Sequence, residues 1–187
     1  MSTLPDLPSA EDVLAFWFVE NGPDDWFAAK PEFDAEVISR FARTHGAAAR
    51  CELWAWRATP RGRLAEIIVL DQFSRQMFRR QSEAFVTDAL ALVLAQEAVA
   101  ANALRDLDAD GRQFLLMPYM HAESLPVQDE GVRLFGEWCG EDVAVYARAH
   151  RDTIARFSRF PMRNAALGRQ STPEEEAYMA ERAGSMF

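Results

Sequence analysis

The stretch that decides the fold is Leu64-Ala65-Glu66-Ile67-Ile68-Val69-Leu70-Asp71-Gln72-Phe73-Ser74-Arg75-Gln76-Met77-Phe78. From Arg63 to about Phe78 it is apolar on almost every side, the pattern of a helix buried all round. At about 100° per residue, Asp71 and Arg75 share a stripe with Leu64, Ile67, Ile68 and Phe78. Two charges therefore interrupt a buried face. A carboxylate stays ionised in apolar surroundings only with a partner. The structural reading is an i,i+4 Asp71 to Arg75 pair completed by neighbouring donors. The functional reading is that the stripe opens into a cavity, with Asp71 orienting an imidazole or cation and Arg75 facing a ligand. The two are compatible.

Outward from this central helix, periodicity stays helical. Ser9 and Asp12 form a capping-box-like start for a helix carrying Val13, Leu14, Phe16, Trp17 and Phe18, which Asn21-Gly22-Pro23 ends. Pro31 suits a first helical position, and Phe33, Val37, Ile38 and Phe41 recur at helical spacing up to Gly46. A short helix holds Leu53, Trp54 and Trp56. Ser82 is expected to cap a helix from about Glu83 to Ala103, and Asp108 the next, which should kink or break at Pro118. Further helices fit Val127 to Trp138 and Glu141 to about Phe157, and Thr172-Pro173-Glu174-Glu175 opens a terminal one. No period-2 strand stands out. The expected fold is all-α: about nine helices in antiparallel pairs that suit a solenoid-like stack, forming a single helical domain over residues 1–187.

Composition bounds function. The 187 residues are 49% hydrophobic with net charge -9, enough for one self-sufficient core. Cys51 and Cys139 form no disulfide framework. Met1 to Asp12 lacks a basic start and a long apolar run, so a reducing cytosol is expected. The uncharged stretches Ala89 to Gln96 and Gln113 to Met120 are too short to span a membrane. Charge is uneven: residues 148–169 carry six arginines against Asp152, while the remaining 14 basic and 28 acidic side chains sum to -14. An acidic whole repels nucleic acid, yet a confined basic stretch can hold a small anion.

Three stretches place polar groups in apolar contexts. Besides Asp71 and Arg75, the run Gln113 to Glu123 delivers His121 and Glu123 past a proline, where an imidazole either bonds a freed carbonyl or lines a cavity. His-x-Glu faces two sides of a helix and needs a third ligand, so no metal or other cofactor is expected. His150 shares a face with Tyr146, Ala147, Ile154 and Phe157 and points inward, whereas Asp152 belongs to an exposed ladder with Arg148 and Arg156. Beyond it, Ser158-Arg159-Phe160-Pro161-Met162-Arg163-Asn164 and Leu167-Gly168-Arg169 form a proline-stiffened loop. Its guanidinium forks match carboxylate or phosphate. Asp106-Leu107-Asp108-Ala109-Asp110-Gly111 imitates a calcium loop, but Met117 stands where a bidentate Glu is required. No P-loop, dinucleotide fingerprint, nucleophile elbow or Cys-x-x-Cys occurs.

The segments Val13-Leu14-Ala15-Phe16-Trp17-Phe18, Trp26-Phe27, Leu70 to Arg75, Met117 to Glu123, His150-Arg151-Asp152 and Arg156 to Arg169 resemble the bacterial family DUF924 over nearly the whole chain. The resemblance implies an all-α fold similar to tetratricopeptide-type helical arrays, and no established activity. In that family pattern His, Gly, Pro, Asn and Ser stand at the positions of Met162, Ser158, Ser74, Gln76 and Ala122. A mechanism needing an imidazole in the proline loop would lack it here.

Three functions follow as expectations. The first is a soluble protein binding a small anionic ligand in an Arg/His-lined groove through Arg75, Arg159, Arg163, Asn164 and Arg169. The second is an enzyme with His150 or His121 as general base, Glu123 or Asp71 as orienting carboxylate, and the arginines against developing negative charge. It requires a carboxylate within about 3 Å of an imidazole that faces open space. The third is a scaffold whose groove takes a peptide or partner subunit, favoured by exposed Trp26, Phe27 or Trp54.

Overall fold

A computed structural model describes residues 7–182; Met1 to Asp6, part of the stretch read for a leader, lie outside the described residues, as do 183–187. No described residue is in a strand. The helices are α1 (Ala10–Ala15), α2 (Pro23–Trp26), α3 (Pro31–Ala49), α4 (Pro60–Ile68), α5 (Ser74–Met77), α6 (Asp88–Ala100), α7 (Ala109–His121), α8 (Leu125–Trp138), α9 (Glu141–Phe157) and α10 (Pro173–Glu181). A π-turn, Val69–Phe73, joins α4 to α5 without a break, so nine continuous helices stand among the described residues. Both capping boxes form: Ser9 with Asp12, and Thr172 with Glu175. Asp108 caps α7, its Oδ1 accepting from Gly111 N–H at 2.8 Å.

Two expected boundaries move. Pro118 lies inside α7, which runs on to His121 instead of breaking. The helix placed from Glu83 begins at Asp88, after a 3-10 turn over Ser82–Phe85. Tertiary demand explains the delay. Thr87 Oγ1 donates to the Leu70 carbonyl at 2.7 Å, and Ser74 Oγ reaches the same oxygen at 2.6 Å. Hydroxyls thus satisfy a carbonyl at the π-turn, where the regular ladder is disturbed.

α4 and the π-turn are the centre of the packing, touching α1, α3, α6 and α7, while α7, α8 and α9 pack in succession. Leu64, Ile67, Ile68, Val69, Leu70 and Phe73 are buried. Around them lies an aromatic cluster in which the Trp26 ring centroid is 4.9 Å from that of Phe114 and Trp17 meets Phe114 edge-on at 5.3 Å. Trp26 Nε1 donates to the Trp17 carbonyl at 2.8 Å, which satisfies its polar end inside the core. The buried carboxylate Glu66 is matched by both arms of Arg57, each at 2.7 Å.

α9 ends at Ser158, whose φ of 59° is left-handed. This backbone region costs a side-chain-bearing residue roughly 1 kcal/mol, and glycine avoids the cost. Ser158→Gly is accordingly expected to stabilise the fold by about 1 kcal/mol. A thermal melt with a lower midpoint than the unaltered chain would reject this account of the cap.

Candidate functional site

The π-turn widens the central helix where Asp71 falls, and the carboxylate is fully buried. Its Oδ1 lies 2.7 Å from His121 Nδ1 and 3.2 Å from Arg75 Nη1, and Gln72 Nε2 donates to Oδ2. The expected i,i+4 pair therefore exists, completed by neighbouring donors. Burial alone would raise the Asp71 carboxyl, but the Arg75 charge, the His121 ring and the Gln72 amide hold it below the usual carboxylate range. An ionised carboxylate has only lone pairs to offer, so His121 Nδ1 must carry the proton and donate it. The lone pair of the ring is thereby placed on Nε2. Desolvation and the nearby Arg75 charge lower the His121 pKa, keeping the ring neutral.

Arg75 reaches across to the first residue of α6, giving Nη1 and Nη2 to Asp88 at 3.0 and 3.1 Å, and Nη1 also donates to the Asp71 carbonyl at 2.7 Å. Arg163 joins from the proline loop. Its Nη1 shares Asp88 Oδ2 at 3.1 Å, and its Nη2 donates to the His121 carbonyl at 2.9 Å. Burial and the like charge of Arg75 bring the Arg163 pKa down to about 10. His150 is buried on α9, with Nδ1 bonded to the Tyr146 carbonyl at 2.7 Å and its ring centroid 6.4 Å from that of His121. Desolvation pushes its pKa down to about 3.

These groups face one cavity of about 500 Å³. Arg75, His121, His150 and Arg163 line it, with Phe85, Phe160 and Met162 supplying carbon surface. Asp71 stands behind His121 and Arg75. The other expected site residues are elsewhere. Arg169 gives Nη1 and Nη2 to Glu123 at 2.7 and 2.9 Å, and its Nε bonds Asn164 Oδ1 at 3.0 Å. Arg159 is held by Glu175 at 2.6 and 2.8 Å, and Asn164 Nδ2 reaches the same carboxylate at 3.3 Å. Arg159, Asn164, Arg169 and Glu123 are absent from the cavity wall; they fasten the loop that carries Arg163, and Glu123 also accepts from Phe160 N–H at 2.7 Å.

Smaller readings shift too. Tyr146 is exposed rather than inward, and Asp152 contacts Arg151, while Arg148 and Arg156 pair with Glu141 and Glu174. Trp26 is buried, whereas Trp54 and Phe27 are exposed. Asp88, Arg79, Arg80, Phe85, Tyr178 and Arg182 escaped the sequence reading, the first on Arg75 and Arg163 and the rest on the cavity wall. Asp88 carried no signal because it falls inside the helix drawn from Glu83. Arg80 shows one only in three dimensions: its φ of 66° is left-handed, a strained conformation for a bulky residue.

The profile of the family described as "Bacterial protein of unknown function (DUF924)" matches residues 13–183. The chain belongs to DUF924. A solved structure titled as a protein of unknown function from Agrobacterium tumefaciens is similar to this DUF924 chain at 38% identity, with a TM-score of 0.87, covering 92% of this chain and 97% of that one. No curated protein matches. The all-α fold is shared with that solved structure, and the DUF924 description names no reaction. No described helix of this DUF924 member is long and apolar enough to cross a membrane.

Proposed function

We propose that the protein binds a small organic anion in the cavity between α5, α7, α9 and the proline loop. One observation carries this reading: the charged side chains on the cavity wall are Arg75, Arg79, Arg80, Arg163 and Arg182, and no carboxylate lines it among the described residues. In a chain of net charge -9, the counter-charges of these arginines sit off the wall, Asp71 and Asp88 for Arg75, Asp88 for Arg163 and Asp34 for Arg79, so a guest meets guanidinium donors before carboxylates. A guanidinium has five N–H donors. Arg163 commits two of them, to Asp88 and the His121 carbonyl, and Arg75 three, so both keep donors for a carboxylate or phosphate. Phe85, Phe160 and Met162 suit the carbon body of such a ligand.

Phosphate and succinate are the probes, with titration calorimetry as the measurement. Saturable binding is expected. Arg163→Ala should weaken it at least about tenfold, the effect of losing one charge-assisted hydrogen bond. Because Arg163 is also structural, the exposed Arg80 supplies a second variant, and Arg80→Ala should weaken binding several-fold without moving the melting temperature. No saturable binding, or unchanged affinity in both variants, would sink the reading.

The same reading takes the array as tetratricopeptide-like, supported by the succession of α7, α8 and α9, and sets it in the cytosol, supported by the free thiols Cys51 and Cys139. A nucleic acid or membrane partner does not suit the acidic surface. The peptide-scaffold alternative has exposed Trp54 in its favour but nothing that ties Trp54 to the cavity.

A further inference from the structure

We infer that Asp71 and His121 form a general-base couple that makes the cavity a hydrolytic site for carboxylic esters carrying a second, anionic group. The inference rests on the anion-binding reading, since the arginines hold the substrate. Three features of the site support it.

The first is the state of the imidazole. Nδ1 is committed to Asp71 at 2.7 Å, and Nε2, the atom bearing the lone pair, has no hydrogen bond among the described residues. The ring lines the cavity. The charged and titratable groups around it are Asp71 and Arg75 on the central helix, Arg163 on the loop and His150 on α9, with Asp88 behind the two arginines. Desolvation and the charges of Arg75 and Arg163 keep the ring neutral against the opposing pull of Asp71, and neutral is the form a base requires. The Arg163 bond to the His121 carbonyl fixes the backbone that carries it.

The second is the absence of a competing nucleophile: no Ser, Cys or Lys lines the cavity among the described residues. The one aliphatic hydroxyl there, Thr153 Oγ1, donates to the Ala149 carbonyl at 2.9 Å, so Tyr178 OH, 2.6 Å away, must donate to it. Water is left as the attacking group. The third is the placement of charge. Arg75 and Arg163, each with N–H donors left over, line the same cavity as the ring, a placement suited to an oxyanion that develops there.

The step balances without any other reactant. Water oxygen bonds to the ester carbonyl carbon while His121 Nε2 takes its proton, and the carbonyl oxygen becomes an oxyanion facing the guanidiniums. The tetrahedral species collapses, the C–O bond to the leaving group breaks, and the departing alkoxide recovers the proton from His121. One ester and one water give one acid and one alcohol. Asp71 touches no reacting atom. It is a positioning residue that fixes the tautomer and stabilises the transient imidazolium.

The test is hydrolysis of mono-(4-nitrophenyl) succinate by the full chain, followed by nitrophenolate absorbance, with neutral 4-nitrophenyl acetate as the comparison. The half-ester is expected to be hydrolysed in preference to the acetate, with phosphate as a competitive inhibitor. His121→Gln should lose roughly 10²-fold or more in kcat while still binding phosphate. The unaltered protein's kcat should fall as pH drops through the imidazole titration, an arm that His121→Gln lacks. Asp71→Asn should lower kcat and leave KM in place, a split that a purely structural role would not produce. Half-ester hydrolysis no faster than in buffer, or equal rates in His121→Gln, overturns the catalytic inference while phosphate binding leaves the anion site standing. A chain that binds no phosphate fails at the earlier reading instead.

Discussion

Asp71→Ala should lower stability by about 3–5 kcal/mol, the cost of removing one partner from a buried ion pair and leaving the other uncompensated. The carboxylate accepts from His121 and Gln72 and is ion-paired with Arg75 in a fully buried position. Its loss strands the Gln72 amide and the His121 N–H and removes one of the two counter-charges of Arg75. For a chain of this length the shift is roughly 10 °C in melting temperature. The pH dependence has a definite sign. A carboxylate whose folded pKa lies below its unfolded value, near 4 for Asp, stabilises above that value and loses the contribution as pH falls through the folded pKa. The gap between the unaltered and Asp71→Ala proteins should therefore be full at neutral pH and narrow only in strong acid. Paired urea melts at several pH values measure it. A gap below about 1 kcal/mol at neutral pH would mean that Asp88 alone is sufficient for Arg75.

Gly62→Ala should cost about 3 kcal/mol or more, by overpacking against main chain. A Cβ at position 62 would stand 2.0 Å from the Trp56 carbonyl oxygen and 2.8 Å from its carbon. No rotamer relieves such a contact, because the obstacle is backbone. The 3-10 turn over Trp54–Ala58 would have to move, and Arg57 on it is the partner of buried Glu66. Thr59, whose Oγ1 accepts from Gly62 N–H at 3.0 Å, would lose its capping geometry as well. Denaturant melts check this, and an unchanged midpoint would show that the turn yields freely. Arg57→Ala alone should reproduce part of the loss.

Much of this could be read along the chain because it depends on neighbours in sequence. The capping boxes at Ser9 and Thr172, the Asp108 cap and the buried stripe of the central helix are all decided within a few residues. So is the Asp71 to Arg75 pair, one helical turn apart. The arginine loop shows where that legibility ends. Paired donors on a stiff loop look alike whether they await a ligand or are already matched, and the deciding partners are distant in sequence: Glu123 lies 46 residues before Arg169, and Glu175 lies 16 after Arg159. Asp88 is the converse. One acid at a helix start carries no periodic signature, yet it pairs with two guanidiniums on either side of it in the chain, 13 and 75 residues away.

Asp88 also behaves as a resident stand-in for the anion that the arginines would otherwise meet. A guest with more negative charge than one carboxylate would compete with it for Arg75 and Arg163, and the side chain so released belongs to the opening residue of α6.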